Sequence, residues 1–133
     1  MRLELTRRGD YAVRAMLALA ASPAAQRTAA DVARETGIPP AFVAQVMGDV
    51  VRAGLVANRR GRNGGYRLAR AAAEINLLQV VEAVEGDGRR KTCVLRGGPC
   101  RREAACDVHD AFAAAQEATF STLAAVSLAD VTR

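Results

Sequence analysis

The chain has 133 residues, carries a formal net charge of +5 and contains no tryptophan and only 4% aromatic residues. This length most simply forms one domain with a sizeable core, which small aliphatic residues must fill, and that favours closely packed helices. No apolar run approaches the roughly 20 residues that span a bilayer, and the odd count of three cysteines argues against a secreted disulfide framework. Nearly all the positive charge is arginine, whose planar guanidinium suits phosphate and guanine edges, so nucleic acid is the first partner to consider.

The N-terminal segment MRLELTRRGDYAVRAMLALAASPAAQ has basic residues, an apolar run and small residues, which is roughly the composition of a signal peptide. Asp10 and Arg14 interrupt the apolar run, however. Four apolar residues recur at helical spacing, namely Val13, Met16, Leu17 and Ala20. The pattern therefore predicts an amphipathic helix from about Arg7 to Ala21 in a cytoplasmic protein.

Two short helices joined by a tight turn are predicted next. TAADVARETG, residues 28–37, begins with Thr28 three positions before Asp31, as in a capping box, and ends at Gly37. In the following segment, IPPAFVAQVMGDVVRAG, the apolar stripe comprises Phe42, Val43, Val46, Met47 and Val50. The opposite face is predicted to be exposed and consists mostly of small side chains: Ala41, Ala44, Gln45, Gly48, Asp49 and Arg52. This pattern fits a helix-turn-helix, whose second helix enters the DNA major groove, and also fits an ordinary helical hairpin.

The segment GLVANRRGRNGGYRLAR, residues 54–70, predicts two short strands, Leu55–Asn58 and Tyr66–Ala69. The turn between them is rich in glycine and asparagine, which accept positive φ. Arginines line this hairpin: Arg59, Arg60, Arg62 and Arg67. A hairpin with an arginine-rich tip directly after a helix-turn-helix indicates a winged helix, whereas the alternative is a solvated basic turn. Arginine is favoured in a narrow minor groove by its negative potential.

Two further helices are predicted beyond the hairpin. EINLLQVVEAVEG, residues 74–86, is amphipathic and ends at a glycine. From about Asp107 to Val126 a second helix carries a seam of residues spaced by three and four: Val108, Phe112, Ala115, Thr119, Leu123 and Val126. Such a seam suits packing against the same helix of a second protomer or against the helix's own domain.

The stretch CVLRGGPCRREAACDVHD, residues 93–110, holds all three cysteines and the single histidine of the chain. The spacings do not match the close pairs of structural zinc sites or the ferredoxin patterns. Three thiolates on one flexible, basic loop can nevertheless wrap a compact inorganic cluster. The residues themselves leave open a metal site, a redox-active thiol loop and a loop without chemistry.

The motifs together carry a resemblance to a known family. The residues LTRRGDYAVRAML, IPPAFVAQVM, RRGRNGGYRLAR and LLQVVEAVEG, followed by three spaced cysteines, resemble the Rrf family of winged-helix transcription regulators, which includes IscR-like, NsrR-like and RirA-like proteins. The resemblance covers nearly the whole chain. It implies a homodimer that binds near-palindromic promoter DNA as a repressor or activator, and a long C-terminal dimerisation helix.

The resemblance also implies an iron–sulfur cluster held by Cys93, Cys100 and Cys106. The spacing of the first two cysteines is one residue longer than in IscR-like or NsrR-like members. His109 matches the histidine that completes an IscR-like 2Fe–2S site. Asp10 matches the position from which an NsrR-like partner protomer offers a carboxylate to a 4Fe–4S cluster. We favour His109, because it requires no intersubunit geometry.

These observations define the expected fold and division of the chain. The fold class is mainly α with a small β-hairpin wing, a winged helix-turn-helix plus a long C-terminal dimerisation helix. Residues 1–86 are expected to bind DNA, 87–107 to form the cysteine-bearing cluster loop, and 108–133 to form the dimerisation helix and tail. The predicted DNA contacts are Thr28, Ala41, Gln45, Arg59, Arg60 and Arg62.

The expected function is a transcription regulator whose promoter binding is controlled by a cluster sensing redox state, nitric oxide or iron. A cluster-free regulator that senses through thiol oxidation is the alternative. An enzyme fits poorly, because no Cys-x-x-Cys, nucleotide-binding glycine motif or general base accompanies the thiols. The expected partners are double-stranded DNA and a second copy of the chain, without a membrane or a small-molecule substrate.

Overall fold

The fold is built from helices with one β-hairpin. The computed structural model describes residues 1–89, 94–95 and 107–132. In chain order its elements are α1 (Arg7–Ala21), α2 (Ala29–Thr36), α3 (Pro40–Arg52), β1 (Val56–Arg59), β2 (Gly65–Leu68), a 3-10 turn (Ala72–Glu74), α4 (Leu77–Glu85), α5 (His109–Ala125) and α6 (Leu128–Val131). The predicted fold class, mainly α with a small hairpin wing, is confirmed. Within the described ranges, no helix has the length and apolar character to cross a membrane.

Side-chain caps fix where several helices begin. The Thr28 hydroxyl accepts from the backbone N–H of Asp31 at 3.1 Å, and the Asp31 carboxylate accepts from the backbone N–H of Thr28 at 2.9 Å. The hydrogen bond from the backbone N–H of Thr28, together with one from the side chain of Arg34, lowers the pKa of Asp31 below its ordinary value. Asn76 and Gln79 form the same reciprocal pair at the start of α4. These caps satisfy helix N–H groups that have no partner within the helix.

The core forms where α1, α3 and α4 meet. Small residues of α1 allow close contact with the neighbouring helices, since Ala12 and Ala15 are fully buried. Four residues of the predicted α3 stripe are buried, namely Val43, Val46, Met47 and Val50. The fifth, Phe42, is half-buried, and its ring centroid lies 5.8 Å from that of Tyr11. Burial of this apolar stripe turns the opposite side of α3 towards solvent.

The hairpin is a two-stranded antiparallel ladder that a third segment extends. Val56 pairs with Leu68 and Arg59 pairs with Gly65, so each strand is displaced by one residue from the sequence prediction. Arg27, which precedes α2, exchanges two backbone hydrogen bonds with Tyr66, at 2.9 and 2.7 Å. The hairpin is therefore attached to the start of the helix-turn-helix as well as to α3.

The C-terminal end of the chain returns to the start of α4 and to α1. Helix α5 packs against α4. The segment that follows α5 pairs with the start of α4. Leu77 donates its backbone N–H to the carbonyl of Val126 at 2.9 Å, and Leu128 donates its backbone N–H to the carbonyl of Ile75 at 2.8 Å. Leu128 of α6 is fully buried in the core. Residues 126–131 thus join the start of α4 to α1 and contribute Leu128 to the core.

Gly65→Ala is expected to destabilise the fold more than Gly61→Ala. Both glycines have positive φ, +143° and +98°, and a Cβ there is strained by about 1–3 kcal/mol. A Cβ on Gly65 would in addition lie 2.5 Å from the Arg27 carbonyl oxygen, which is backbone and cannot yield easily. A Cβ on Gly61 meets open space in the described part of the chain. Urea unfolding of the two variants measures the difference, and equal losses would contradict the attachment of the hairpin to Arg27.

Candidate nucleic-acid interface

The outward side of α3 is lined by small side chains and one amide. Ala41, Ala44 and Gln45 are exposed, and Gly48 is half-buried. Positions 41, 45, 48 and 52 are spaced by four, three and four residues, so they share one face of the helix. The side chains leave space for a close approach by another molecule. Two of the predicted DNA contacts, Ala41 and Gln45, lie on this face.

Thr28, the predicted contact on α2, is exposed at the N-terminus of its helix. Its hydroxyl oxygen accepts the hydrogen bond of the capping box. A hydroxyl that accepts one bond can still donate its own proton. Thr28 therefore has a structural role that accounts for its presence, and its contact with DNA stays a prediction.

The tip of the hairpin carries exposed positive charge. Arg59 ends β1, Arg60 and Arg62 follow in the turn, and all three side chains are exposed. Asn63 adopts a φ of 63°, and the N–H of Gly64 donates to the carbonyl of Gly61 at 3.0 Å. This tight turn presents the arginines at the end of the hairpin.

Asp49 of α3 is buried, contrary to the exposure that the sequence pattern predicts. Its position in α3 predicted an exposed side chain, yet it is the one charged residue that is buried among those the structure describes. Its carboxylate accepts hydrogen bonds from Arg8 of α1 and from Arg52 of α3. The spacing of Asp49 and Arg52 could have suggested that pair, but the contact with Arg8 joins residues 41 positions apart.

The three predicted cluster ligands, Cys93, Cys100 and Cys106, lie outside the described residues. Of the two candidates for the fourth ligand, His109 is the first residue of α5 and is half-buried. Asp10 lies in the first turn of α1, where its carboxylate accepts from Arg14 Nε at 2.7 Å. No group of three or more histidine, cysteine or acidic side chains suited to a metal occurs in residues 1–89, 94–95 and 107–132.

The order of elements and the exposed face of α3 define a class of protein. Three helices followed by a hairpin whose tip is basic form a winged helix-turn-helix, the architecture of many DNA-binding regulators. The model of the Rrf2 family, described as "Iron-dependent Transcriptional regulator", matches residues 5–133, and the chain belongs to this family. The resemblance predicted from the motifs is confirmed.

Individual relatives agree with this assignment. The chain is 33% identical over 132 residues to the protein aau3 of Rhizobium meliloti, covering 98% of this chain and 86% of that protein. It is 35% identical over 108 residues to the HTH-type transcriptional regulator IscR of Vibrio vulnificus, covering 80% of this chain and 64% of that protein. The crystal structure of the oxidized form of Staphylococcus aureus CymR matches with a TM-score of 0.75 and 20% identity, covering 98% of this chain and 97% of that one. The last match shows the shared fold.

Arg60→Ala and Gln45→Ala are expected to weaken DNA binding in different ways. Loss of a phosphate contact at Arg60 should weaken binding to all duplexes alike and reduce the slope of log K against log salt by about one. Loss of a base contact at Gln45 should cost about 1–3 kcal/mol of discrimination and leave the slope unchanged.

Fluorescence anisotropy can measure both effects with two duplexes. One is enriched by the wild-type protein from a random-sequence pool, and the other is a scrambled duplex of the same composition. Arg14→Ala, which removes an exposed arginine from α1, is the control for loss of charge. If Arg60→Ala matches that control in affinity and slope, the hairpin tip does not contact DNA.

Proposed function

We propose that the chain is a homodimeric regulator of transcription whose binding to promoter DNA is controlled by an iron–sulfur cluster. The DNA-binding part rests on one observation: the small-residue face of α3 is exposed next to a hairpin with an arginine tip. Residues 1–86 would bind DNA, 87–107 would hold the cluster and 108–133 would join two protomers. Such a protein acts in the cytoplasm, where promoter DNA is accessible, and as a regulator rather than an enzyme.

The dimer part rests on α5. None of the 17 residues of α5 is buried by the part of the chain that the structure describes. A helix with this many apolar residues normally packs one face against another element. Phe112 is 37% exposed, and Leu3 in the N-terminal segment is 88% exposed. An apolar groove of about 530 Å³ runs beside α5, lined in part by Leu3, Leu77 and Leu123. A second copy of the chain, offering its own α5, would cover these surfaces.

Phe112→Asp should dissociate the dimer, because a carboxylate cannot be buried at an apolar interface without a partner. Ser121→Asp introduces the same charge nine residues later, which is half a turn away around α5. Light scattering after size exclusion, over a range of concentrations, should show a monomer for Phe112→Asp and a dimer for Ser121→Asp. A wild-type protein that is monomeric throughout would refute the dimer.

The donor set suits an iron–sulfur cluster. Cys93, Cys100 and Cys106 supply three thiols within fourteen positions, and His109 follows three residues after the last. Cysteine thiolates are the usual ligands of such clusters, and histidine replaces some of them in certain clusters. When bound, the cluster would be the group that responds to oxidants, nitric oxide or iron supply. The chain contributes the link to DNA binding, because the cysteine segment directly joins α4, which packs on α1 and α3, to α5.

A coupling of this kind requires two dimer conformations. The cluster must favour one of them, since a ligand with equal affinity for both shifts nothing. The separation of the two copies of α3 is the quantity that matters, because a dimeric helix-turn-helix must match half-sites about one DNA turn apart or a multiple of it. We propose that the loaded and unloaded proteins differ in this separation.

His109 is the proposed fourth ligand, and Asp10 of the partner protomer is the alternative. His109 is preferred because it follows Cys106 by three residues in the same chain and requires no contribution from a second protomer. Anaerobic purification with iron and sulfide analysis tests both. Loss of cluster, measured as the half-life of the visible absorption in air, should be faster for His109→Ala than for wild type and unchanged for Asp10→Asn. The reverse result would assign the ligand to Asp10, and a colourless protein that cannot be reconstituted would refute the cluster.

The alternative is a regulator that senses through its thiols without a metal. The likeness of the fold to a CymR solved in an oxidized form supports it. In that case the apo protein should form one defined disulfide on treatment with peroxide and lose DNA affinity. Peptide mapping by mass spectrometry, with Cys106→Ser as the matched variant, separates this function from the cluster function.

A further inference from the structure

The buried carboxylate of Asp49 lies between two arginines from different parts of the chain. Its side chain is 10% exposed, and its two oxygens accept from Arg8 of α1 and Arg52 of α3. A charge removed from water requires such partners, because an unpaired buried carboxylate is strongly unfavourable. The contact with Arg8 joins α3 to α1. The contact with Arg52 fixes the direction in which the Arg52 side chain points.

Arg52 lies on the same face of α3 as the residues predicted to contact DNA. It follows Gly48 by four positions and Gln45 by seven, and its side chain is 73% exposed. A Cβ added to Gly48 would be 3.4 Å from Arg52 Nη1. The guanidinium therefore lies back along the helix, over the glycine, instead of extending freely into solvent. Asp49 engages Nη2, and the guanidinium has further N–H donors on its other edges.

We propose that Asp49 is a positioning residue for DNA binding, which holds Arg52 over Gly48 so that the guanidinium contacts a backbone phosphate. This inference rests on the proposed entry of α3 into the DNA groove. The phosphate is the expected target because residues at the start of a recognition helix read base edges, whereas Arg52 is the last residue of α3. An arginine already held in place loses little side-chain freedom when it binds.

Asp49→Asn should change the affinity for DNA in the direction opposite to that expected from net charge alone. Removing a negative charge close to DNA should strengthen binding if only net charge matters. If Asp49 positions Arg52, the same change should weaken binding to the enriched duplex by about tenfold, the value of one charge-assisted hydrogen bond. It should also reduce the salt slope by about one, because one phosphate contact is lost. Tighter binding with an unchanged or steeper slope would overturn the proposal.

A double-mutant cycle separates positioning from a purely structural role. Arg52→Ala should weaken binding to the same extent as Asp49→Asn, and the double variant should be no weaker than either one. Additive losses would mean that Asp49 acts through the fold, and unfolding measurements on the three variants would show the accompanying loss of stability. Binding by Arg52→Ala that equals the wild type would remove Arg52 from the interface.

Arg52→Lys tests the idea without touching the buried carboxylate. Lysine keeps the charge but lacks the planar fork that can bind Asp49 and a phosphate at once. Binding should weaken several-fold. Arg34→Lys is the matched control, because Arg34 pairs with Asp31 at the same spacing in α2, and it should bind as the wild type does. Equal binding by both variants would overturn the proposal, whereas a wild-type protein that enriches no duplex from the pool would instead refute the proposed mode of DNA binding.

Discussion

Burial of one face of α3 against α1 is the constraint on which the rest of the structure depends. Val46, Met47 and Val50 are fully buried, and this packing fixes which side of α3 faces outward. Small residues on α1 allow the two helices to approach closely. Because a helix is rigid, the placement of its apolar stripe also places Gln45 and Arg52 on the exposed side. The position of the proposed interface with DNA is thus a consequence of how the core is packed.

The attachment points around α3 are polar and more specific. The buried carboxylate of Asp49 joins α1 to α3 through Arg8, and the backbone pair between Arg27 and Tyr66 joins the hairpin to the start of the helix-turn-helix. The hydrophobic effect is non-directional, whereas these hydrogen bonds have a defined geometry. They hold the hairpin tip and α3 in one arrangement, which a protein must have if both are to contact the same DNA.

Much of the fold follows from local pattern. The range predicted for α1 matches the observed helix, and the caps at Thr28 and Gly37 bound α2 as expected. The strands were displaced by one residue, because their ends depend on pairing with a partner rather than on local preference. The exposed positions of Ala41, Gln45 and the hairpin arginines were also predictable, since the apolar stripe of α3 and the turn residues of the hairpin determine them. The placement of Asp49 was wrong, because a charged residue was assumed to face water and its partner Arg8 is distant in sequence.

The sequence by itself determined the class of protein, through helical periodicity, capping residues, turn glycines and the order of these motifs. All of these act between residues close along the chain, so they can be read without coordinates. Only the tertiary structure decided that Asp49 is buried between two arginines, that Arg27 extends the hairpin sheet and that Leu128 returns to the core. Those contacts join segments far apart in sequence, and their existence depends on how the helices pack. The residues proposed to orient the interface are therefore found among the long-range contacts, while the residues expected to touch DNA are found in the local pattern.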